Sequence, residues 1–142
     1  VLNPARTELS FWSEYRNTVS ALFTAEPLGL GGWTLSAHDV YVNVVGGLKL
    51  REPAADLAII AALASAAEGA VIPDGTAVWG EVGLGGEVRA VVSSDRRVSE
   101  AVSLGIKKIL TALPRSGTRK KQDSLIVKDV RTVREAVQAV TK

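Results

Sequence analysis

The sequence predicts one domain of the mixed α/β (α+β) class, and three observations support this prediction. Stretches with apolar residues at helical spacing alternate along the chain with stretches that have strand-like alternation. Glycine- and proline-rich turns separate the two kinds of stretch. At 142 residues the chain can bury one sizeable core, and it contains no low-complexity tract. We therefore treat residues 1–142 as a single domain.

The first half of the chain predicts a helix, a strand, a short returning strand and a central helix. These elements cover 8–23, 39–45, 48–50 and 54–67. The central helix is apolar almost all round, as expected of a helix enclosed by the core. Pro53 suits its first position, Asp56 complements the helix dipole, and Gly69 closes the helix.

The second half predicts a hairpin, a helix, two short strands and a final helix. A strand over 76–82 leads through the glycine-rich turn 83–86 into a returning strand. Ser93 or Ser94 is the predicted cap of the next helix, which ends near Gly105. The remaining predicted elements are the returning strand at 87–92, strands at 106–110 and 125–127, and a helix at 130–140.

The composition argues against several classes of function. The chain has no cysteine and one histidine, His38, so it offers few ligands for a metal site. It has no apolar run long enough to span a membrane and no secretory signal, so a cytoplasmic protein that does not bind membranes is expected. The first residue is not methionine, which favours a piece of a longer protein.

The glycine-rich segments do not predict a nucleotide site. No phosphate-binding loop motif is present, and the turn 83–86 lies between two predicted strands instead of opening a helix. We therefore predict no cofactor for this domain.

Glu52, Asp56 and Glu81 could form a cluster for general acid/base catalysis, which needs carboxyl groups held together in a pocket. Helix-start charge and hairpin pairing explain the same residues without catalysis, and we favour that interpretation. For a serine nucleophile, His38 is the only histidine that could act as base, and it is better explained as a surface residue. A serine activated by a lysine stays open at this point.

Basic residues are concentrated in one stretch of the second half. Six of them lie between positions 107 and 121, where there is no acidic residue: Lys107, Lys108, Arg115, Arg119, Lys120 and Lys121. A solvated loop is the favoured explanation, and contact with DNA phosphates is the alternative.

Three ordered motifs resemble a known family. They read DVYVNVVGG at 39–47, EPAADLA at 52–58 and GEVGLGGEVR at 80–89. Together they look like the C-terminal, Lon-protease-like domain of the RadA/Sms DNA-repair proteins. The resemblance covers residues 3 to 111 well and is looser beyond Leu113.

The resemblance implies a fold like ribosomal protein S5 domain 2 and the proteolytic domain of Lon. Matched motif by motif, Ala54 stands at the position of the catalytic serine of Lon-type peptidases and Asp95 at that of the lysine. Alanine has no nucleophilic atom, and aspartate cannot act as a neutral amine. The resemblance therefore implies a pseudo-protease with no catalytic residue.

Proteins similar to this chain carry a zinc finger and a RecA-like ATPase, so ATP, magnesium and zinc are expected only in parts of the parent protein absent here. The resemblance further implies self-association into a ring, hexameric in the parent, with DNA contact as a second role. We expect a non-catalytic module of a DNA-recombination ATPase that acts as a helicase. The alternatives are an active Lon-like serine peptidase and an interaction domain of another ATPase, such as a ComM-like protein.

Overall fold

A three-stranded parallel sheet has helices packed against both of its faces. This architecture confirms the predicted α/β class. The computed structural model describes residues 51–114 and 125–141. The predicted elements at 8–23, 39–45 and 48–50 lie outside the described residues. In chain order the described elements are a 3-10 turn Pro53–Ala55, α1 Asp56–Glu68, β1 Thr76–Val78, β2 Glu81–Val82, β3 Val88–Arg89, α2 Ser94–Ser103, β4 Lys108–Thr111, β5 Ile126–Asp129 and α3 Val133–Thr141.

The main sheet has the strand order β1-β4-β5, with β4 in the centre and parallel to both neighbours. Its register aligns Ala77 with Ile109 and Ile109 with Val127. Strands β2 and β3 form a separate antiparallel pair in which Val82 faces Val88. The 2-stranded pair is therefore a small hairpin beside the parallel sheet.

Two apolar clusters lie on opposite faces of the sheet, because successive strand side chains point to opposite sides. The larger cluster packs α1 and α3 together and includes Leu57, Leu110 and Val133, which are almost completely buried. The smaller cluster joins Trp79 and Ile109 to Ala101 of α2. Trp79 Nε1 is the one buried side-chain polar atom of the described residues without a hydrogen-bond partner.

Helix α1 begins with a tighter turn than the sequence predicts. Pro53–Ala55 adopts 3-10 geometry, and the α-helix itself runs from Asp56 to Glu68. Gly69 ends it in a left-handed conformation (φ 64°), while the amide of Ala70 donates to Ser65 O at 3.0 Å. A left-handed residue at this place favours glycine, so the predicted helix end is confirmed.

The single strand predicted over 76–82 is wrong, because the chain changes sheets within it. Trp79 N still donates to Leu110 O (3.1 Å), which keeps the chain beside β4. Gly80 N instead donates to Ala54 O (2.9 Å), so the chain turns toward the start of α1. Two short strands in different sheets result, and alternation alone does not reveal where the hydrogen-bond partner changes.

Other predicted boundaries shift by a few residues. The returning strand is limited to β3, while β4 and β5 each run past their predicted ends. Helix α3 begins at Val133 instead of Val130, because Val130 N still donates to Thr111 O across the sheet (3.0 Å). Thr132 Oγ1 then accepts the amide of Glu135 (3.2 Å) as an N-terminal cap.

Candidate functional site

The turn Pro53–Ala55, called here the Pro53 turn, is held by backbone hydrogen bonds to Gly80. Ala54 O accepts the amide of Gly80 at 2.9 Å, and Gly80 O accepts the amide of Leu57 at 3.1 Å. Ala54 is only 5% exposed. Its methyl group is therefore enclosed, and its carbonyl is engaged.

Gly80 lies too close to its neighbours to carry a side chain. A Cβ at this residue would lie 2.7 Å from Val88 Cγ1 and 3.2 Å from Leu57 Cδ2. Both atoms belong to buried side chains with little room to move. Glycine at this position therefore allows the Pro53 turn, the hairpin and α1 to meet.

The three carboxylates of the possible acid/base cluster have three different sets of partners. Asp56 Oδ2 accepts the amide of Val82 at 3.3 Å, which ties the start of α1 to the hairpin. Glu52 pairs with Arg97, and Glu81 pairs with Arg89 at 3.3 Å. The contacts of Asp56 and Glu81 support the interpretation by helix-start charge and hairpin pairing, while Glu52 instead pairs with a residue of α2.

The start of α2 carries Asp95 and differs from the Pro53 turn in its exposure and in its backbone conformation. Asp95 is exposed in the first turn of the helix, where its negative charge complements the dipole. Ser93 is the N-cap residue, but its side chain makes no cap hydrogen bond. Its backbone is left-handed (φ 58°, ψ 33°), a conformation that costs a non-glycine residue energy. Ser94 Oγ donates instead to Val91 O at 2.8 Å.

One ion pair connects these two regions. The Arg97 side chain of α2 donates through Nη2 to Glu52, the residue before the Pro53 turn. Arg97 Nε also donates to Val92 O at 3.3 Å. The segments that carry Ala54 and Asp95 are thus joined through side chains that the sequence did not indicate as partners.

The described part of the basic stretch is Lys107 and Lys108, while Arg115, Arg119, Lys120 and Lys121 lie outside the described residues. Lys107 is exposed, and its carbonyl accepts the amide of Ile126 at 2.9 Å. Lys108 is half-buried, and its ammonium donates to Ala139 O at 3.0 Å. A cation beside the last carbonyls of a helix, such as the Lys108 ammonium here, interacts favourably with the helix dipole. The two adjacent lysines therefore have different environments.

Besides Glu81–Arg89, the hairpin contains a second ion pair, Glu87–Arg89, which the sequence did not indicate. Arg89 Nη2 donates to Glu87 Oε1 at 2.5 Å. The pKa of Glu87 is held below its ordinary value, first by the Glu87 backbone amide and then by the Arg89 side chain. The pKa of Arg89 is raised by Glu87 in return. The spacing of Glu81, Glu87 and Arg89 around a glycine turn is the signal that could have indicated it.

Within 51–114 and 125–141, no group of three or more His, Cys, Asp or Glu side chains could hold a metal ion. No helix in that part of the chain is long and apolar enough to cross a membrane. The Pro53 turn presents the methyl group of Ala54 and backbone groups that are already hydrogen-bonded to Gly80.

No family model matches the chain. Relatives named DNA repair protein RadA do match it, among them those of Rickettsia felis, Salmonella typhimurium and Escherichia coli, which are 36%, 39% and 42% identical over 110, 108 and 91 residues. These alignments cover 78%, 75% and 64% of this chain, but 24%, 23% and 19% of the relatives. The chain thus spans about a quarter of the length of the first of these relatives. The chain is a domain of the RadA family.

Proposed function

We propose that this domain is a catalytically silent, Lon-like module of a RadA-type DNA repair and recombination ATPase, in which it serves ring assembly. The observation that carries the proposal is the buried Ala54, a residue that is 5% exposed and that the resemblance aligns with the serine of Lon-type peptidases. The relatives named DNA repair protein RadA support a parent protein that acts in DNA repair, and we expect that parent in the cytoplasm.

The absence of peptidase activity follows from both dyad positions. Nucleophilic catalysis by serine needs a hydroxyl and a base within hydrogen-bond reach, and Ala54 supplies no hydroxyl. Asp95 is an acid, so it cannot act as the neutral amine of a serine–lysine pair.

A fluorescent casein assay tests the silent-module proposal. We expect no turnover by the chain at neutral pH, and none by a variant in which Ser65, Ser93 and Ser94 are all replaced by alanine. Turnover that survives in this variant would support the alternative, an active Lon-like peptidase with a different nucleophile. Trypsin at a matched concentration serves as the positive control.

Ring assembly calls for a head-to-tail interface, because identical subunits close into a ring only through heterologous contacts. Light scattering should compare the full-length parent with a parent truncated before this domain. We expect the full-length protein to form a ring, hexameric in our proposal, and the truncated protein to form smaller species. A truncated protein that retains the ring would contradict the assembly role.

DNA contact is a second candidate role, and the exposed Lys107 favours it. The Lys107 carbonyl accepts the amide of Ile126, so this lysine lies beside the point where the chain enters β5 from 115–124. That segment contains Arg115, Arg119, Lys120 and Lys121. Of the adjacent pair, Lys107 should contribute more than Lys108, because the Lys108 ammonium is engaged by Ala139.

Charge reversal of Arg119, Lys120 and Lys121 in the full-length protein tests the DNA role. Loss of three phosphate contacts should reduce the slope of log affinity against log salt by about 2.7, since each contact contributes about 0.9. Lys108→Gln is the matched control and should leave the slope within about half a unit. Unchanged DNA affinity at low salt after the triple reversal would contradict this role.

The alternative parent protein is another ATPase with a Lon-type fold, such as a ComM-like protein. The RadA relatives favour a RadA-type parent. The sequence of the adjoining N-terminal region decides this point: a zinc finger followed by a RecA-like ATPase supports the proposal, and any other arrangement contradicts it.

A further inference from the structure

Arg97 and Glu52 form a contact between segments that are 45 residues apart in the chain. Glu52 precedes the Pro53 turn, and Arg97 lies in the first half of α2. The Arg97 side chain is 28% exposed and that of Glu52 is 53% exposed. The guanidinium is therefore partly shielded from water, while the exposed carboxylate leaves the pair open to screening by salt.

The same guanidinium also contacts the backbone that leads into α2. Its Nε donates to Val92 O at 3.3 Å, next to the left-handed Ser93. A left-handed conformation at a non-glycine residue persists only where the surrounding structure imposes it. Ser94 Oγ supplies a second restraint through Val91 O. Arg97 is thus connected to both the strained entry of α2 and the Pro53 turn.

We propose that Arg97 and Glu52 act as a strap that holds the start of α2 against the Pro53 turn. The strap fixes the segment that carries Asp95 relative to the segment that carries Ala54. With alanine and aspartate at these positions, no serine–lysine pair joins the two segments. Glu52 precedes Ala54 by two residues, and Arg97 follows Asp95 by two residues. The strap depends on neither DNA binding nor peptidase activity, so its test is independent of the function proposed above.

Hydrogen exchange in the 142-residue chain tests the strap. Glu52→Gln and Arg97→Gln should each raise the exchange rates of the α2 amides about two- to fivefold, the range expected for a partly exposed ion pair. Because both substitutions remove the same contact, the double variant should exchange no faster than Arg97→Gln alone. Multiplicative effects in the double variant, or unchanged exchange in both single variants, would overturn the proposal.

Two further measurements separate the strap from a general loss of stability. Arg89→Gln removes an exposed hairpin ion pair and should leave α2 exchange unchanged. The swapped variant Glu52→Arg with Arg97→Glu should return α2 exchange to within about twofold of the original chain.

The unmodified chain provides a test that needs no substitution. Raising sodium chloride to about 1 M should increase exchange of the α2 amides relative to the β4 amides, because salt screens the ion pair. A constant ratio of the two rates would contradict the strap, even if the substituted chains failed to fold.

Discussion

The Pro53 turn and the start of α2 carry Ala54 and Asp95, the two positions of the proposed degenerate dyad, and the fold holds them in different ways. Ala54 is buried, and backbone hydrogen bonds to Gly80 fix its turn. Asp95 is exposed, and side-chain contacts from Ser94 and Arg97 hold the strained backbone before it. Substitutions at the Pro53 turn should therefore affect packing, while those at Asp95 should be tolerated.

Placing leucine at position 54 and, in a second variant, at position 95 gives the most direct test of this comparison. Ala54→Leu should destabilise the chain by about 1–3 kcal/mol, because a larger side chain in a closed site forces its neighbours apart. Asp95→Leu should cost about 0.5 kcal/mol, chiefly through loss of a favourable charge at the helix start. Urea unfolding measures both, and equal costs would remove the distinction between the two regions.

Gly80→Ala tests whether the backbone contact between residue 80 and the Pro53 turn requires a residue without a side chain. The new Cβ would approach Val88 Cγ1 to 2.7 Å, so we expect a loss of about 1–2 kcal/mol in the free energy of unfolding. Gly85→Ala is the matched control. Its Cβ would meet only the far end of the Glu87 side chain at 3.0 Å, so thermal unfolding should change little. A tolerated alanine at position 80 would mean that the turn can shift.

Ser93→Gly should act in the opposite direction, because it relieves strain at the start of α2. Glycine adopts φ 58° without a Cβ clash, and we expect the free energy of unfolding to rise by about 0.5–1 kcal/mol. Ser94→Gly should instead lower it by about 1 kcal/mol, since it removes the hydrogen bond to Val91 O and places glycine in a helix. Denaturant midpoints of the two variants should therefore move in opposite directions.

The smallest expected effect concerns the exposed Glu87–Arg89 pair. The folded chain lowers the pKa of Glu87, so the contribution of this group to stability is present above its ordinary pKa near 4.5 and is lost as pH falls below it. Glu87→Gln should therefore reduce stability slightly at pH 7 and leave it unchanged near pH 2. Urea midpoints at the two pH values measure the difference, and an equal change at both would exclude the charge as its cause.

Much of the fold could be predicted because local patterns specify it. The apolar run of α1 and the glycine at its end indicate the helix and its termination without tertiary information. The break between β1 and β2 could not be predicted, because it depends on Gly80 bonding to a turn 26 residues earlier in the chain. The pattern of Thr132 followed by Glu135 was a readable signal for the start of α3 that periodicity alone missed.

The candidate site was less predictable than the fold. Motif matching indicated Ala54 and Asp95, but the burial of one and the exposure of the other depend on tertiary packing. The adjacent lysines show the same limitation. Lys107 and Lys108 look alike in sequence, yet Lys107 is exposed and Lys108 contacts the end of α3.

The bonds between Gly80 and the Pro53 turn separate the shape of the turn from the identity of its side chains. Main-chain groups form them, and almost every residue type carries the same main-chain groups. Exchange of a side chain for another of similar size at such a turn therefore leaves the bonds that hold the turn in place. The shape of the turn is inherited separately from the chemistry of the side chain that it carries.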